Sequence, residues 1–451
     1  MFFFKKKIQA LMRKHVTFGI EFEIFTLDQN GYIVNGADKV INRVRATYPE
    51  VSIQREAGTS MIEVITLPSR EVPDIMVQAL SDFEKVVECA TKEGIILYAY
   101  GTYPGTYPAE FHSGRKFAAQ EQLFGKQRFG ITARVAGLHI HCSLPKGVFD
   151  SVEKVIKPLI ANQKKHSLVN LYNLYIAMDP ALTTFTQCSP FYQGKRLGKD
   201  SRVIMYRGGK ELDSPNGLYA NYPQFGALPD YKSTNTDILH MIQERAIEWS
   251  DMVMKIGQRI LLRSKHGSIL DATWNPVKIN ANGTMEARGM DMNHPDIILA
   301  IAIIFKYIVK AVQEDFLQVV PSDIGVNEPF KKVGNIIYIP PFSHVSHILQ
   351  KAAAYEGLEN DGVFTYCASL VKLAKKYIPE AKIILLKPLE DMLKNRQTAS
   401  DHIIAKAKEM GFGDELTNSQ AAQLALSLSQ DLYDEIITTR EHLNIYREEI
   451  K

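Results

Sequence analysis

T-F-G-I-E-F-E-I-F, Thr17 to Phe25, reads as one β-strand with two chemically different faces. Phe18, Ile20, Phe22 and Ile24 alternate with Thr17, Gly19, Glu21 and Glu23, which is the period of two of a half-buried strand. Glu21 and Glu23 therefore point the same way, about 7 Å apart along the chain. Like charges at that spacing repel each other unless water, a basic group or a cation lies between them. A solvated outer face and a metal site both satisfy this stretch taken alone.

Three more stretches repeat the pattern. In Q-R-E-A-G-T-S-M-I-E-V-I-T-L-P, Gln54 to Pro68, Glu63 is a lone polar residue on an otherwise apolar β-stretch. Glu56 precedes it by seven residues across Gly58, where a turn would bring the two carboxylates to one place; an exposed loop position is the other reading. In G-L-H-I-H-C-S-L, Gly137 to Leu144, His139, His141 and Ser143 share one face, and neutral imidazoles at i and i+2 make a metal-ligand pattern. In G-T-M-E-A-R-G-M-D, Gly283 to Asp291, Glu286 and Arg288 share a face. An arginine there offsets part of the acidic charge and leaves donors free for a phosphoryl group, although a surface ion pair of little worth has the same spacing. Four β-stretches, each ionisable on one face and apolar on the other, describe a sheet with a wet, functional side. Upstream of the histidines, Lys126, Arg128 and Arg134 beside Gly125 and Gly130 suit either a phosphate contact or a solvated turn.

The 451 residues, 45% hydrophobic, suffice for a large core. Lys plus Arg number 53 against 50 for Asp plus Glu, so the net charge of +3 gives no general attraction to nucleic acid. Cys89, Cys142, Cys188 and Cys367 are widely spaced and form no C-x-x-C pair, which points away from disulfide and zinc frameworks and toward a reducing cytoplasm. M-F-F-F-K-K-K has its apolar residues before its charges, the wrong order for a secretory signal. The longest apolar run, Ile297 to Val309, is interrupted by Lys306 and too short to span a bilayer. Periodicity predicts helices over Asp38–Thr47, Asp74–Glu93, Asp150–Ala177, Thr236–Ile260 and from Ser419 onward, with a further strand over Ile95–Tyr103. Gly101–Gly114 and the long Gly/Pro/Tyr-rich Ser189–Asp230 are expected to be loops, the second of a length that implies function. The expected division is a domain over residues 1–320 that carries the ionisable strands and a mainly helical region over 321–451, packed on it.

The ordered set G-I-E-F-E, E-x6-E, G-L-H-I-H, S-P-F-Y-x-G (from Ser189) and G-T-M-E-A-R resembles the glutamate-cysteine ligase family, in its carboxylate-amine ligase branch, over roughly residues 17 to 300. The resemblance implies an α+β fold: a curved antiparallel β-sheet funnel of the glutamine synthetase type, with helices packed on its outer face. It implies ATP-dependent joining of a carboxylate, typically the γ-carboxylate of glutamate, to an amine through an acyl phosphate. Carried over residue by residue, Glu21, Glu23, Glu56, Glu63, His139 and Glu286 match the family's metal-binding positions and Arg288 its phosphate-contacting arginine. Arg202, Arg207 and Arg128 are the candidates for gripping substrate or nucleotide. His141 departs from the glutathione-forming enzymes, although H-x-H occurs in the carboxylate-amine ligase branch, so the amine acceptor stays open.

Oxygen-rich ligation favours Mg²⁺ or Mn²⁺, and no G-x4-G-K-[ST] loop is present to cradle phosphates, which leaves them to metals and arginines. The expected partners are small-molecule carboxylates and amines, with neither nucleic acid nor membrane among them, and self-association is left open. Two rivals remain: a metal-dependent amide hydrolase, since H-x-H also marks such sites, and a non-catalytic binding protein on the same scaffold. Against the first stand the carboxylate-dominated ligand set and the lack of βα alternation. Against the second stands the stability cost of an acidic cluster without cations.

Overall fold

The computed structural model describes residues 16–157, 163–258 and 268–449. The M-F-F-F-K-K-K stretch and residues 259–260 of the helix expected to reach Ile260 lie outside them; that helix ends at Lys255, where the chain turns through Gly257 at φ 75°.

Strand β1 (Phe18–Leu27) is the spine of a seven-stranded sheet whose described pairings are all antiparallel. Its neighbours are β3 (Met61–Ile65), edged by β2 (Ser52–Arg55), on one side and β5 (Gly137–Ser143) on the other. The short β4 (Ile96–Tyr98) also pairs with β1, and the sheet continues through the hairpin of β6 (Val277–Asn280) and β7 (Thr284–Asp291). The alternation of β1 is realised: Phe18, Ile20, Phe22 and Ile24 are buried together with Ile62, Val64, Leu138, Ile140 and Met285.

Helices cover that apolar face. They are α1 (Ala37–Thr47), α2 (Val72–Lys92), α3 (Gln163–Thr186) and α6 (Pro295–Glu314). Between α3 and α6 in the chain lie α4 (Ser201–Arg207) and α5 (Asn235–Lys255), which pack away from that face. Helix α6, which contains the Ile297–Val309 run, packs against α2, α3 and β5 and is buried nearly all round, so its uniform hydrophobicity marks a core helix. Lys306 within it donates its ammonium to the carbonyls of Val16 and Arg70, and burial pulls its pKa down. Among the described residues no helix is long and apolar enough to cross a membrane. All four cysteines are free.

The C-terminal third is helical as expected, with α7 (Asp361–Lys375), α8 (Lys387–Asn395), α9 (Ala399–Glu409) and the 32-residue α10 (Asn418–Glu449). Helix α10 packs on α2, β4 and α6, and the Leu97 N–H donates to the Tyr433 hydroxyl. A small sheet of Gln318–Pro321, Lys331–Val333 and Ile336–Ile339 was not foreseen, and its first strand straddles residue 320.

Three local expectations are corrected. Asp150–Ala177 is not one helix: Phe149–Asp150 and Val155–Ile156 form a hairpin, because the Asp150 carboxylate takes the N–H groups of Val152 and Glu153 and Lys154 turns left-handed at φ 52°. The helix that follows passes Pro180 and ends at Thr186, its burial outweighing the lost backbone bond. The strand expected over Ile95–Tyr103 stops at Tyr98, and Ser189–Asp230 contains a two-stranded hairpin and the helix α4, capped by Asp200.

Candidate active site

Register builds the polar face. Across β1 and β3 Glu23 lies opposite Glu63; across β1 and β5 Glu21 lies opposite His139; across β5 and β7 His141 lies opposite Glu286. Directly opposed residues have Cβ atoms about 5 Å apart, so these pairings set a band of carboxylates and imidazoles across four strands. Glu56, on the connection from β2 to β3, joins Glu23 and Glu63. The ladder between β5 and β7 then shifts register between Ala287 and Met290, a bulge that re-aims the chain at Arg288, whose N–H is taken by the Pro276 carbonyl.

The contacts are close. Glu21 Oε2 lies 3.0 Å from His139 Nδ1, and Glu21 Oε1 lies 3.2 Å from His141 Nε2. Glu23 Oε1 lies 3.3 Å from His139 Nε2, out of line for a hydrogen bond, and its other oxygen accepts the Gly137 N–H. Gln54 donates to Glu63, Asn280 to Glu286 at 2.6 Å, and Thr284 Oγ1 meets His141 Nδ1 at 2.9 Å. Glu23, Glu63, His139, His141 and Glu286 are buried, whereas Glu21, Glu56 and Arg288 are only part-buried, so the cluster opens to solvent on their side.

Electrostatics divides the carboxylates. Burial and then the charge of Glu56 push Glu23 up to about 8, and burial with its acidic neighbours raises Glu63 as well. Burial also penalises ionised Glu286, but Arg288, His141 and Lys278 outweigh it and hold the carboxyl down at about 2. Glu21 is held low in the same way by its two histidines. Burial and then Arg288 bring His139 down to about 4, so it is neutral at pH 7 with a lone pair to offer; His141, despite burial, is raised by Glu286 and Glu21.

Three overlapping donor sets have ligand atoms within 4.8 Å of one another: Glu21, His141 and Glu286; Glu21, Glu63 and His139; Glu23, Glu56 and Glu63. That span suits a cation bound at 2.0–2.6 Å on several sides. The buried Nε2 atoms of His139 and His141 lack hydrogen-bond partners, and Glu23 and Glu63, opposite each other in register, offer carboxylate oxygens to one point. The donor set therefore fits divalent cations.

All six residues matched to metal positions come together, with Arg288 beside them, its Nη1 3.0 Å from Glu286 Oε1 and its buried Nε without an acceptor. Arg202 reaches the same region: its Nη2 donates to the Arg288 carbonyl at 3.1 Å, and a Cβ on Gly137 would lie 2.3 Å from that nitrogen. Arg207 does not reach it. Both of its Nη atoms clasp buried Asp179, at 2.6 and 2.8 Å, and Nη1 also meets Gln350 at 2.7 Å. Arg128 donates its Nη2 to the Pro215 carbonyl at 2.9 Å. Sequence reasoning left His141 without a role, and it missed Gln54, Asn280 and Lys278. The last two face Glu286 only because β6 folds back onto β7, and nothing in the Val277–Asn280 pattern announces it.

A family model described as Glutamate-cysteine ligase family 2 matches residues 17–329. Among curated proteins, the "Putative glutamate--cysteine ligase 2" of Corynebacterium glutamicum (strain R) is 24% identical over 193 residues, covering 42% of this chain and 46% of the relative. The protein of the same name from Roseiflexus castenholzii is 22% identical over 225 residues, 48% of this chain and 49% of its own. The aligned part of this chain thus spans about half the length of the curated relatives it matches. Among solved structures, the glutamate–cysteine ligase of Francisella tularensis, in complex with AMP, superposes with a TM-score of 0.57 at 12% identity, covering 96% of this chain and 93% of that one. The bifunctional glutathione synthetase of Pasteurella multocida gives 0.56 at 14% identity, covering 96% and 54%. At these identities the two structures establish a shared fold, the α+β architecture that the motifs implied. With the family model covering well over half of its residues, the chain belongs to glutamate-cysteine ligase family 2.

Proposed function

We propose that the protein is an ATP-dependent carboxylate-amine ligase that forms an amide, with glutamate as the carboxylate donor and a γ-glutamyl bond as the product. The observation that carries this reading is the band of carboxylates with Arg288 at its open side, its Nε free of any acceptor. A carboxylate resists attack by an amine, so activation must come first. A substrate carboxylate oxygen attacks the γ-phosphorus of ATP and ADP departs, leaving an acyl phosphate. The amine then attacks the acyl carbon, loses a proton, and phosphate leaves. Glu21, Glu23, Glu56, Glu63, His139, His141 and Glu286 would hold Mg²⁺ or Mn²⁺, which when bound offsets the charge of the triphosphate. Arg288 stabilises negative charge on the transferring phosphoryl group, with Glu286 fixing the guanidinium from one side. Arg202 supplies a second positive charge beside Glu23.

The test is release of ADP and phosphate in the presence of Mg²⁺, ATP, glutamate and a panel of amines. Turnover that needs both carboxylate and amine is expected. AMP and pyrophosphate release, or amide cleavage without ATP, would overturn the reading and favour, in the second case, a metal-dependent hydrolase.

A further inference from the structure

We infer that the buried Asp179–Arg207 ion pair braces the bulge of β7 and so sets the direction of Arg288, making Asp179 and Arg207 positioning residues for the role given to Arg288 above, on which this inference rests. Arg207 ends α4, and Asp179 lies on α3, which packs along β7. Their side chains meet in parallel, Nη1 on Oδ2 at 2.6 Å and Nη2 on Oδ1 at 2.8 Å, and Gln350 of the C-terminal region accepts from Nη1 at 2.7 Å. Gln350 is anchored in turn, its Nε2 donating to the Ser346 carbonyl at 3.1 Å. All three side chains are buried, at 5% exposure or less, so this guanidinium is closed to a ligand from solvent.

A buried ion pair needs a reason, since apolar side chains of the same volume often stabilise a fold as well or better. This one lies against the irregularity in β7. The register shifts between Ala287 and Met290, so Arg288 and Gly289 form the bulge. A Cβ on Gly289 would stand 2.4 Å from Arg207 Nη2 and 2.5 Å from Asp179 Oδ1, closer than a side chain tolerates, and glycine is what lets the strand rest on the pair. Pro276, just before β6, would be 3.1 Å from the same Cβ, and its carbonyl accepts the Arg288 N–H at 2.8 Å. Arg202, also on α4, donates Nη2 to the Arg288 carbonyl at 3.1 Å. The peptide groups on both sides of the Arg288 Cα are therefore held, with the ion pair against the next Cα. A bulge re-aims the side chains it carries, and Arg288 leaves this one with its Nη1 3.0 Å from Glu286 Oε1. Through Gln350 the C-terminal region contributes to the same seat.

The experiment is a double-mutant cycle of Asp179→Asn with Arg288→Lys, read by kcat and by KM for ATP, together with hydrogen–deuterium exchange of the whole chain followed by mass spectrometry, which needs no turnover. Asparagine keeps the shape of Asp179 and removes the charge that Arg207 answers. In a variant that melts as a folded protein, kcat should fall roughly ten- to a hundred-fold, the scale of a misplaced catalytic group. KM for ATP should change little, because Arg288 acts in the transition state more than in the ground state. In the Arg288→Lys background the same change should cost less than about two-fold, since the two residues act as one. Exchange should quicken in the peptide that holds the Arg288 N–H and stay at the parental rate in β1. Gly289→Ala is the second variant: it leaves both charges paired, presses a methyl onto them, and should show the same pattern; it decides the matter if Asp179→Asn does not fold. Parental kcat in a folded variant, losses that multiply with Arg288→Lys, or unchanged exchange at the bulge would overturn the inference. A parent protein that makes no ADP with any carboxylate and amine would sink the ligase reading instead, and exchange alone would then decide the positioning role.

Discussion

Glu23→Gln should make the metal-free protein more stable at neutral pH, and by an amount the structure sets. Glu23 sits among Glu56, Glu63 and Glu21, and burial with the Glu56 charge lifts it from an ordinary 4.5 to about 8. The folded state therefore binds a proton that the unfolded state releases, so stability falls as pH rises through that window. At pH 7 the penalty is about 1.4 kcal/mol for each pH unit above 4.5, or about 3 kcal/mol. Gln has the shape of the protonated side chain without the penalty, and its oxygen can still accept the Gly137 N–H. An unfolding entropy near 2.1 cal/mol/K per residue over 451 residues converts 3 kcal/mol into a rise of about 3 °C. The assay is thermal melting in EDTA from pH 4.5 to 8. The advantage of Gln should be absent at pH 4.5, grow to pH 8, and shrink when Mg²⁺ is added, because the parent then gains a ligand that Gln lacks. A variant that melts below the parent in EDTA at pH 7 would refute the argument and make Glu23 a structural carboxylate.

Arg288→Lys should lower turnover by roughly ten- to a thousand-fold, the scale of one electrostatic stabiliser, with little change in melting temperature; parental turnover would return Arg288 to a plain ion pair with Glu286. Asp296, raised to about 7 by burial and then by Glu435, gives a pH test away from the site: Asp296→Asn should leave melting unchanged near pH 4 and raise it increasingly up to pH 7, whereas a constant offset would contradict the titration. Lys306→Met should cost about 1–3 kcal/mol in chemical denaturation, because the carbonyls of Val16 and Arg70 lose their donor; a gain would mean that burying the ammonium costs more than its bonds return.

The sequence alone determined the strands of the site and the side chains they present. Period-two alternation is a local property, set by which face of a pleated strand is buried, and it is visible wherever one face is apolar. Hence Glu21, Glu23, Glu63, His139, His141, Glu286 and Arg288 could all be placed on polar faces before any pairing was known, and the motif order was enough to identify the family and its fold. Tertiary structure decided what faces what. The register that sets Glu23 against Glu63 and His141 against Glu286, the bulge before Met290, and the return of β6 that brings Lys278 and Asn280 to Glu286 depend on contacts between distant segments. The arginines show the same limit. Arg202 and Arg207 lie five residues apart on one short helix and look equivalent in sequence, yet one reaches the acidic face and the other is spent on Asp179. A side chain's charge is written in its own codon, but the partner that neutralises it is chosen by burial and packing between segments far apart in the chain.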